Sequence, residues 1–238
     1  MVIKKIKNLS VKKAPKIIGT RNESSLHRTL KFQYAGPGGI TEAEVGEYVT
    51  DGVRKNGEYI EIQTGSFAPL VKKINEFTKH GKVRIIHPIA VKKIIEVYDQ
   101  QKKLLYRRKS PAKGSSWGIF DALLFAPHLP LVKGVIIEIT MVEIIEKRIK
   151  DGKGSWRRNG ISIYDKELAA IQETIILKKP KDYLKFIPFN KNEEFTTAAL
   201  AKKAGIKINI ARKALYVLAK MNVVNRIGKK SNAWVYKL

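Results

Sequence analysis

The segment Val49 to Gly65 reads VTDGVRKNGEYIEIQTG and carries the side chains best suited to chemistry: Asp51 before an Arg-Lys-Asn-Gly turn, then Glu61 and Gln63. Residues two apart on a strand point to one face, so Glu61 and Gln63 can share a site. Whether Asp51 joins them depends on the hairpin register. A two-residue Asn56-Gly57 turn sets Asp51 opposite Ile62 and facing away from Glu61. A three-residue Lys55-Asn56-Gly57 loop, with the glycine in a bulge, sets Asp51 opposite Glu61. In that second register Asp51, Glu61 and the Ile62 carbonyl form a set of hard oxygen donors suited to Mg²⁺ or Mn²⁺. A cation held there activates water and stabilises a departing oxyanion. The plain alternative is a hairpin whose polar face meets solvent.

The rest of the chain favours a polyanionic partner. There are 47 Lys and Arg against 21 Asp and Glu in 238 residues, a net charge of +26. Self-repulsion of that size is eased by nucleic acid. Carboxylates meant to face a phosphate need a cation between them. With no cysteine, thiolate metal sites, disulfides and cysteine nucleophiles are excluded. His27, His80, His87 and His128 show no metal-ligand spacing. No long apolar run or signal-peptide core is present, so the expectation is a soluble protein with no membrane partner: cytoplasmic, nucleoid-associated in a bacterium or nuclear in a eukaryote.

The elements that must position these residues follow from periodicity. Residues 1–20 read as a basic arm. NESSLHRTLKFQY, from Asn22 or Ser24 to Tyr34, predicts a first helix with Glu23 near its start. Residues 41–53 and 58–65 predict the two strands of the hairpin. Ser66 to His80 predicts a helix bearing Lys72 and Lys73, Val83 to Val91 a strand, residues 117–132 a short apolar helix, and Gly134 to Ile144 a β-branched strand. In KGSWRRNG, Trp156 stands beside Arg157 and Arg158 on a Gly-rich turn, an aromatic with two guanidiniums that suits base stacking and phosphate contact, or packing between domains.

The C-terminal pattern is more specific. Thr196 or Thr197 caps a helix closed at Gly205, Ile206 to Met221 forms a second, and VVNRIG, KKSN and AWVYKL read as a hairpin with a basic turn. This segment resembles the winged helix-turn-helix family over its last 45 or so residues. The resemblance implies that the second helix enters the major groove, with Asn209, Arg212, Lys213 and Tyr216 toward DNA. Arg226, Lys229, Lys230 and Asn232 lie on or beside the wing.

The hairpin resembles the PD-(D/E)XK nuclease superfamily over residues 21–91. The resemblance implies a metal site of Asp51, Glu61 and the Ile62 carbonyl, with Glu23 as an additional acidic residue and Gln63 positioning water or phosphate. Gln63 departs from the pattern, because lysine is usual there. Lys72 or Lys73 on the next helix can substitute for it, and the departure equally fits a domain that no longer cleaves. The expected architecture is therefore α/β: a mixed-sheet restriction-endonuclease-like core over 21–180, followed by a winged helix-turn-helix domain over 190–238. The expected activity is Mg²⁺- or Mn²⁺-dependent hydrolysis of DNA phosphodiesters, restriction or repair type, on double-stranded DNA, by a monomer or homodimer. The rival is a non-enzymatic winged-helix DNA-binding protein or transcriptional regulator with an inactive nuclease-like domain. An RNA-processing role ranks third, because A-form major grooves are too narrow for a recognition helix.

Overall fold

A computed structural model describes residues 23–238; the basic arm expected over 1–20 lies outside them, as do Arg21 and Asn22. The elements in chain order are α1 (Ser25–Ala35), β1 (Ile40–Val45), β2 (Tyr48–Val53), β3 (Tyr59–Ile62), α2 (Val71–Phe77), β4 (Val83–Tyr98), β5 (Leu104–Lys109), α3 (Ile119–Leu123), β6 (Val135–Lys150), β7 (Ile161–Leu177), β8 (Phe195–Thr196), α4 (Thr197–Lys203), α5 (Ile208–Lys220), β9 (Asn225–Lys230) and β10 (Ala233–Lys237). The fold is mixed α/β around one large sheet. Its strands run β1-β2-β3-β4-β6-β7, with β5 also paired to β4. The β3–β4 and β4–β6 pairs are parallel and the others antiparallel. No helix among the described residues is long and apolar enough to cross a membrane.

Several elements differ from their sequence expectation for identifiable reasons. The strand expected over 41–53 is two strands, β1 and β2, turned at Gly46 and Glu47. The helix expected over 66–80 shortens to a 3-10 turn, Ala68–Leu70, leading into α2. The apolar segment 117–132 holds α3 between two 3-10 turns, Ser116–Gly118 and Leu129–Leu131. β4 and β6 run well past Val91 and Ile144, and β7 was not foreseen as a strand. Between β6 and β7 the register shifts at Met141/Val142, Glu143/Ile144 and Lys147/Arg148. Each bulge resets the two-residue alternation, so no continuous pattern survives in the sequence.

The two faces of the sheet carry separate cores. On one, Leu26, Leu30 and Tyr34, spaced four apart along α1, pack against Ile60, Ile62, Ile86, Val142 and Ile144. Burying such a side chain contributes roughly 1.5–3 kcal/mol, enough for this stripe to hold α1 on the sheet. On the other face a single apolar cluster runs from Phe67, Ile74 and Phe77 through Phe120 and Leu123 to Leu215, Leu218 and Tyr236. The C-terminal helices therefore share a core with the sheet. Phe186, in the 3-10 helix Pro180–Phe186, contributes to the junction with ring centroids 5.2 Å from Trp117 and 5.0 Å from Phe120.

A buried polar network locks the end of α1 to the sheet. The Arg84 guanidinium reaches Glu58 at 3.1 Å and Glu138 at 2.6 Å, and the Tyr34 hydroxyl donates to Glu138 at 2.8 Å. All four side chains are largely shielded from water. Removing the cation leaves Glu138 with only the Tyr34 hydroxyl, while Glu58 keeps Arg54 at 3.0 Å, and breaking a buried pair in this way costs about 3–5 kcal/mol. Arg84→Met is therefore expected to lower the urea midpoint far more than Tyr34→Phe, whose loss is on the order of 1 kcal/mol. Equal midpoints for the two variants would contradict this assignment.

Candidate functional site

The site begins with the turn between β2 and β3. Arg54 N–H donates to the Glu58 carbonyl at 2.9 Å and Gly57 N–H to the Arg54 carbonyl at 2.8 Å, closing a three-residue Lys55-Asn56-Gly57 loop. Gly57 has φ 83°, a conformation that a side chain disfavours. This loop sets Gly52 opposite Ile60 and Val53 opposite Tyr59, the register in which Asp51 comes level with Glu61. Beyond Gly52 the strands part. Side chains replace the missing ladder: the Ile62 N–H donates to Asp51 Oδ2 at 2.7 Å, and the Asp51 N–H donates to Glu61 Oε1 at 3.2 Å.

Three cationic side chains converge on this opening. Lys73, on the inward side of α2, donates to Glu61 Oε2 at 2.7 Å. From α1, His27 and Lys31 follow Glu23 at helical intervals of four. Glu23 Oε1 makes no hydrogen bond of good geometry but lies 2.8 Å from His27 Nδ1 and 2.9 Å from Lys31 Nζ. Lys31 also reaches Glu42 at 2.9 Å and Asp51 at 3.7 Å. His27 Nε2 sits 3.2 Å from Asp51 Oδ2 and 3.1 Å from the Ile62 carbonyl. A carbonyl only accepts, so His27 Nε2 carries the proton toward the Ile62 oxygen, and the carboxylates of Asp51 and Glu23 on either side favour the protonated ring. It lies between two of the three oxygen groups expected to bind a cation.

The electrostatics follow from burial and from these partners. Burial, then the nearby Asp51 charge, push the Glu61 carboxyl up to about 7 despite Lys73. Burial works against ionised Asp51 too, but the His27 hydrogen bond and charge, the Ile62 N–H and Lys73 hold it below the ordinary carboxylate value. For His27, burial is outweighed by the Asp51 hydrogen bond and the charges of Asp51 and Glu23, and its pKa is raised. Asp51 and Glu61 thus do not ionise freely together, although His27, Lys31 and Lys73 face them. Among the described residues no three His, Asp or Glu side chains are grouped so as to hold a metal ion.

Gln63, just past the end of β3, donates from its side-chain amide to the Ser66 carbonyl at 2.6 Å. Its own carbonyl accepts from His87 Nδ1 at 2.6 Å. Burial lowers the His87 pKa, so this ring acts as a neutral brace for the end of β3. A groove of about 670 Å³ leads from Glu23, His27 and Gln63 over Ala90 and Ile144 toward Tyr164 and Lys166.

The remaining expected residues lie elsewhere. Asn209, Arg212 and Tyr216 form one exposed face of α5, and Lys220 lies 6.0 Å from the Tyr216 ring. Lys213, expected beside them, instead pairs at the surface with Asp121 of α3 at 2.6 Å. On the β9–β10 hairpin, Arg226 and Lys229 lie 4.9 Å and 4.8 Å from the Trp234 ring, with Lys230 and Asn232 exposed nearby. Trp156, Arg157 and Arg158 occupy the tip of the β6–β7 hairpin, far along the chain from the carboxylates. Lys72 is exposed on α2. His27, Lys31 and Trp234 were not anticipated. The Glu23, His27, Lys31 spacing was the available signal for the first two.

The two raised pKa values make a signed prediction. Glu61 and His27 bind protons more readily folded than unfolded, so their stabilisation is complete below their unfolded values and is lost as pH rises through the folded ones. Asp51 acts in the opposite sense, but only below about pH 4. Metal-free protein is thus expected to lose stability between pH 5 and pH 8. Urea unfolding should show this slope flattened in Glu61→Gln, by an amount on the order of 1–3 kcal/mol. An unchanged slope would mean that Glu61 titrates normally.

A domain-family model matches residues 24–178, the span from the N-cap of α1 to the end of β7. An uncharacterized protein of Treponema pallidum (strain Nichols) is 25% identical over 157 residues, which is 66% of this chain and 62% of that relative. The chain thus spans less than two thirds of the relative's length. No solved structure matches the chain. With both the α1 cluster and the β2–β3 opening inside the matched span, the chain belongs to the family described as a domain of unknown function, DUF8091.

Proposed function

We propose that this protein is a divalent-metal-dependent DNA endonuclease with a PD-(D/E)XK, restriction-endonuclease-like core and a C-terminal winged helix-turn-helix that carries it to duplex DNA. The observation that carries this reading is the meeting of Asp51, Glu61 and the Ile62 peptide where β2 and β3 part, with Lys73 2.7 Å from Glu61. Asp51, Glu61 and the Ile62 carbonyl would hold the cation, with Glu23 in reserve behind His27. Bound there, Mg²⁺ or Mn²⁺ would supply a more acidic water and neutralise charge on the phosphate.

The chain's own groups have separate tasks in this reading. Lys73 supplies from α2 the ammonium that Gln63 does not, replacing the lysine usual two residues after the glutamate. While it neutralises Glu61 it is held beside the position of the scissile phosphate. The Gln63 amide can leave the Ser66 carbonyl and donate to water or a phosphate oxygen. His27 lies at the rim of the groove and must withdraw from Asp51 and the Ile62 carbonyl before both oxygens are free.

For the C-terminal unit, support comes from the α4–turn–α5 arrangement followed by the β9–β10 hairpin, with β8 completing a three-stranded sheet in the order β8-β10-β9. The exposed Asn209, Arg212 and Tyr216 face suits a major groove, and cations stacked on Trp234 suit a phosphate-tracking wing. The second reading, a DNA-binding protein whose nuclease-like domain does not cut, is favoured by one observation. Each acidic side chain of the site is already paired with His27, Lys31 or Lys73.

Cleavage separates the two. Plasmid, linear, single-stranded and branched DNA with Mg²⁺ or Mn²⁺ should be cut by the wild type. Glu61→Ala should fall to background, and Lys73→Met should lose about 10²-fold, the scale of one electrostatic stabiliser. No cutting, or cutting unaffected by Glu61→Ala, removes the enzyme reading. Binding tests the C-terminal unit independently. Duplex affinity should fall steeply with salt, and Arg212→Ala should reduce the log–log slope by about 1. Lys213→Ala should leave that slope unchanged, since Lys213 is engaged with Asp121 in an exposed pair worth at most about 1 kcal/mol.

A further inference from the structure

The β6–β7 hairpin ends in a loop whose construction exceeds what closing two strands requires. β6 and β7 stay paired from Ile137↔Leu177 to Lys150↔Ile161, and strands of 16 and 17 residues at roughly 3.3 Å per residue span roughly 50 Å. At the end, Gly154 N–H donates to the Gly160 carbonyl at 2.9 Å, Arg158 N–H to the Ser155 carbonyl at 2.9 Å, and Asn159 N–H to the Trp156 carbonyl at 3.0 Å. Arg158 Nε donates to the Ile161 carbonyl at 3.2 Å. A Cβ on Gly154 would lie 2.0 Å from that same carbonyl oxygen, so the loop is tightly closed on itself. Its largest side chain takes no part in the closure. Trp156 is 81% exposed, more than any other large apolar side chain among the described residues.

The chemistry around that ring selects a ligand. The Arg157 guanidinium lies 5.4 Å from the Trp156 ring centroid, and Lys150, Lys153 and Arg158 outnumber Asp151 at the tip. An indole held in water on a firm loop costs free energy unless a flat apolar partner covers it. The surrounding cations require that partner to be anionic. An unstacked nucleobase with its flanking phosphates has both properties, whereas a paired base keeps its faces inside the stack. Resting on the DNA-binding reading above, we propose that Trp156 and Arg157 form a second nucleic-acid site. It takes an unpaired base of DNA, so the preferred substrate is DNA with a single-stranded, gapped or branched element.

The experiment is fluorescence anisotropy of labelled DNA in EDTA, so that binding is read without cleavage. The probes are an intact duplex and the same duplex carrying a short single-stranded gap, with the full-length chain and its Trp156→Ala, Trp156→Phe, Arg157→Ala and Arg212→Ala variants. Trp156→Ala should weaken binding to gapped DNA by roughly 5- to 150-fold, the value of one to several kcal/mol of base stacking. Its affinity for the intact duplex should stay within about twofold of wild type. Trp156→Phe should fall between, and Arg212→Ala should weaken both forms. Equal losses on both DNAs, or no loss, overturn the proposal while leaving duplex binding in place. Failure of the wild type to bind either DNA overturns the DNA reading as well. Because the ring is exposed, its removal deletes no core contact, and an unchanged thermal melt of Trp156→Ala verifies the comparison.

Discussion

Two carboxylates, Asp51 and Glu61, are driven into one shielded corner by the register of a hairpin, and much of the surrounding structure answers the charge that results. Backbone groups contribute first, through the Ile62 and Asp51 N–H groups. Positive side chains from two helices contribute next, Lys73 from α2 and His27 and Lys31 from α1. Charges in such a place cost several kcal/mol each unless paired. The position of α1 is therefore constrained twice, by its apolar stripe on the sheet and by the cations it delivers. Ser25 adds a further tie, donating from its N–H and hydroxyl to Asp165 on β7 at 2.8 Å and 2.7 Å.

The identity of the central cation is what gives this corner its interest. The His27 ring, whose protonated form Asp51 and Glu23 favour, makes contacts of 3.2 Å and 3.1 Å to Asp51 and the Ile62 carbonyl, longer than those of a hard divalent ion to oxygen. Glu61 remains pushed up to about 7 in its presence. The corner is thus charge-compensated but incompletely so. A fully satisfied structural ion-pair network, such as Arg84 with Glu58 and Glu138, sits elsewhere in the same sheet and shows what compensation without residual demand looks like.

The C-terminal unit is welded to the core. Its helices share one apolar cluster with α2, α3 and the sheet, and Lys213 of α5 pairs with Asp121 of α3. In the DNA-binding reading this has a mechanical consequence: the exposed face of α5 has a set orientation relative to the carboxylate corner, so a duplex engaged by Asn209, Arg212 and Tyr216 arrives at a defined angle. A flexible tether would supply only local concentration. The long β6–β7 hairpin is anchored in the same sheet, so its tip shares that frame.

Much of this was legible in the residues themselves. The cap of α1 at Asn22 or Ser24, the cap of α4 at Thr196 or Thr197, and the Leu26 and Leu30 spacing are local devices acting within a few residues, and the structure takes Ser24, Thr196 and, as the third core residue of α1, Tyr34 in place of the exposed Phe32. The alternation of Glu61 and Gln63 predicts one shared face from spacing alone, but β3 ends at Ile62 and the Gln63 side chain turns to the Ser66 carbonyl. The length of β4, β6 and β7 was not legible, because bulges interrupt the alternation and polar residues occupy both faces of the projecting part. Nor was the choice between two hairpin registers, since both turns are ordinary and only packing against α1 and β4 selects one. His27 and Lys31 became site residues because α1 crosses the sheet beside Asp51, and Lys213 is engaged by Asp121 because α3 lies beside α5. The sequence alone determined which groups could carry charge and which segments could form elements. Only the tertiary structure decided which charges meet, because the distance between side chains on different elements is set by how apolar faces pack.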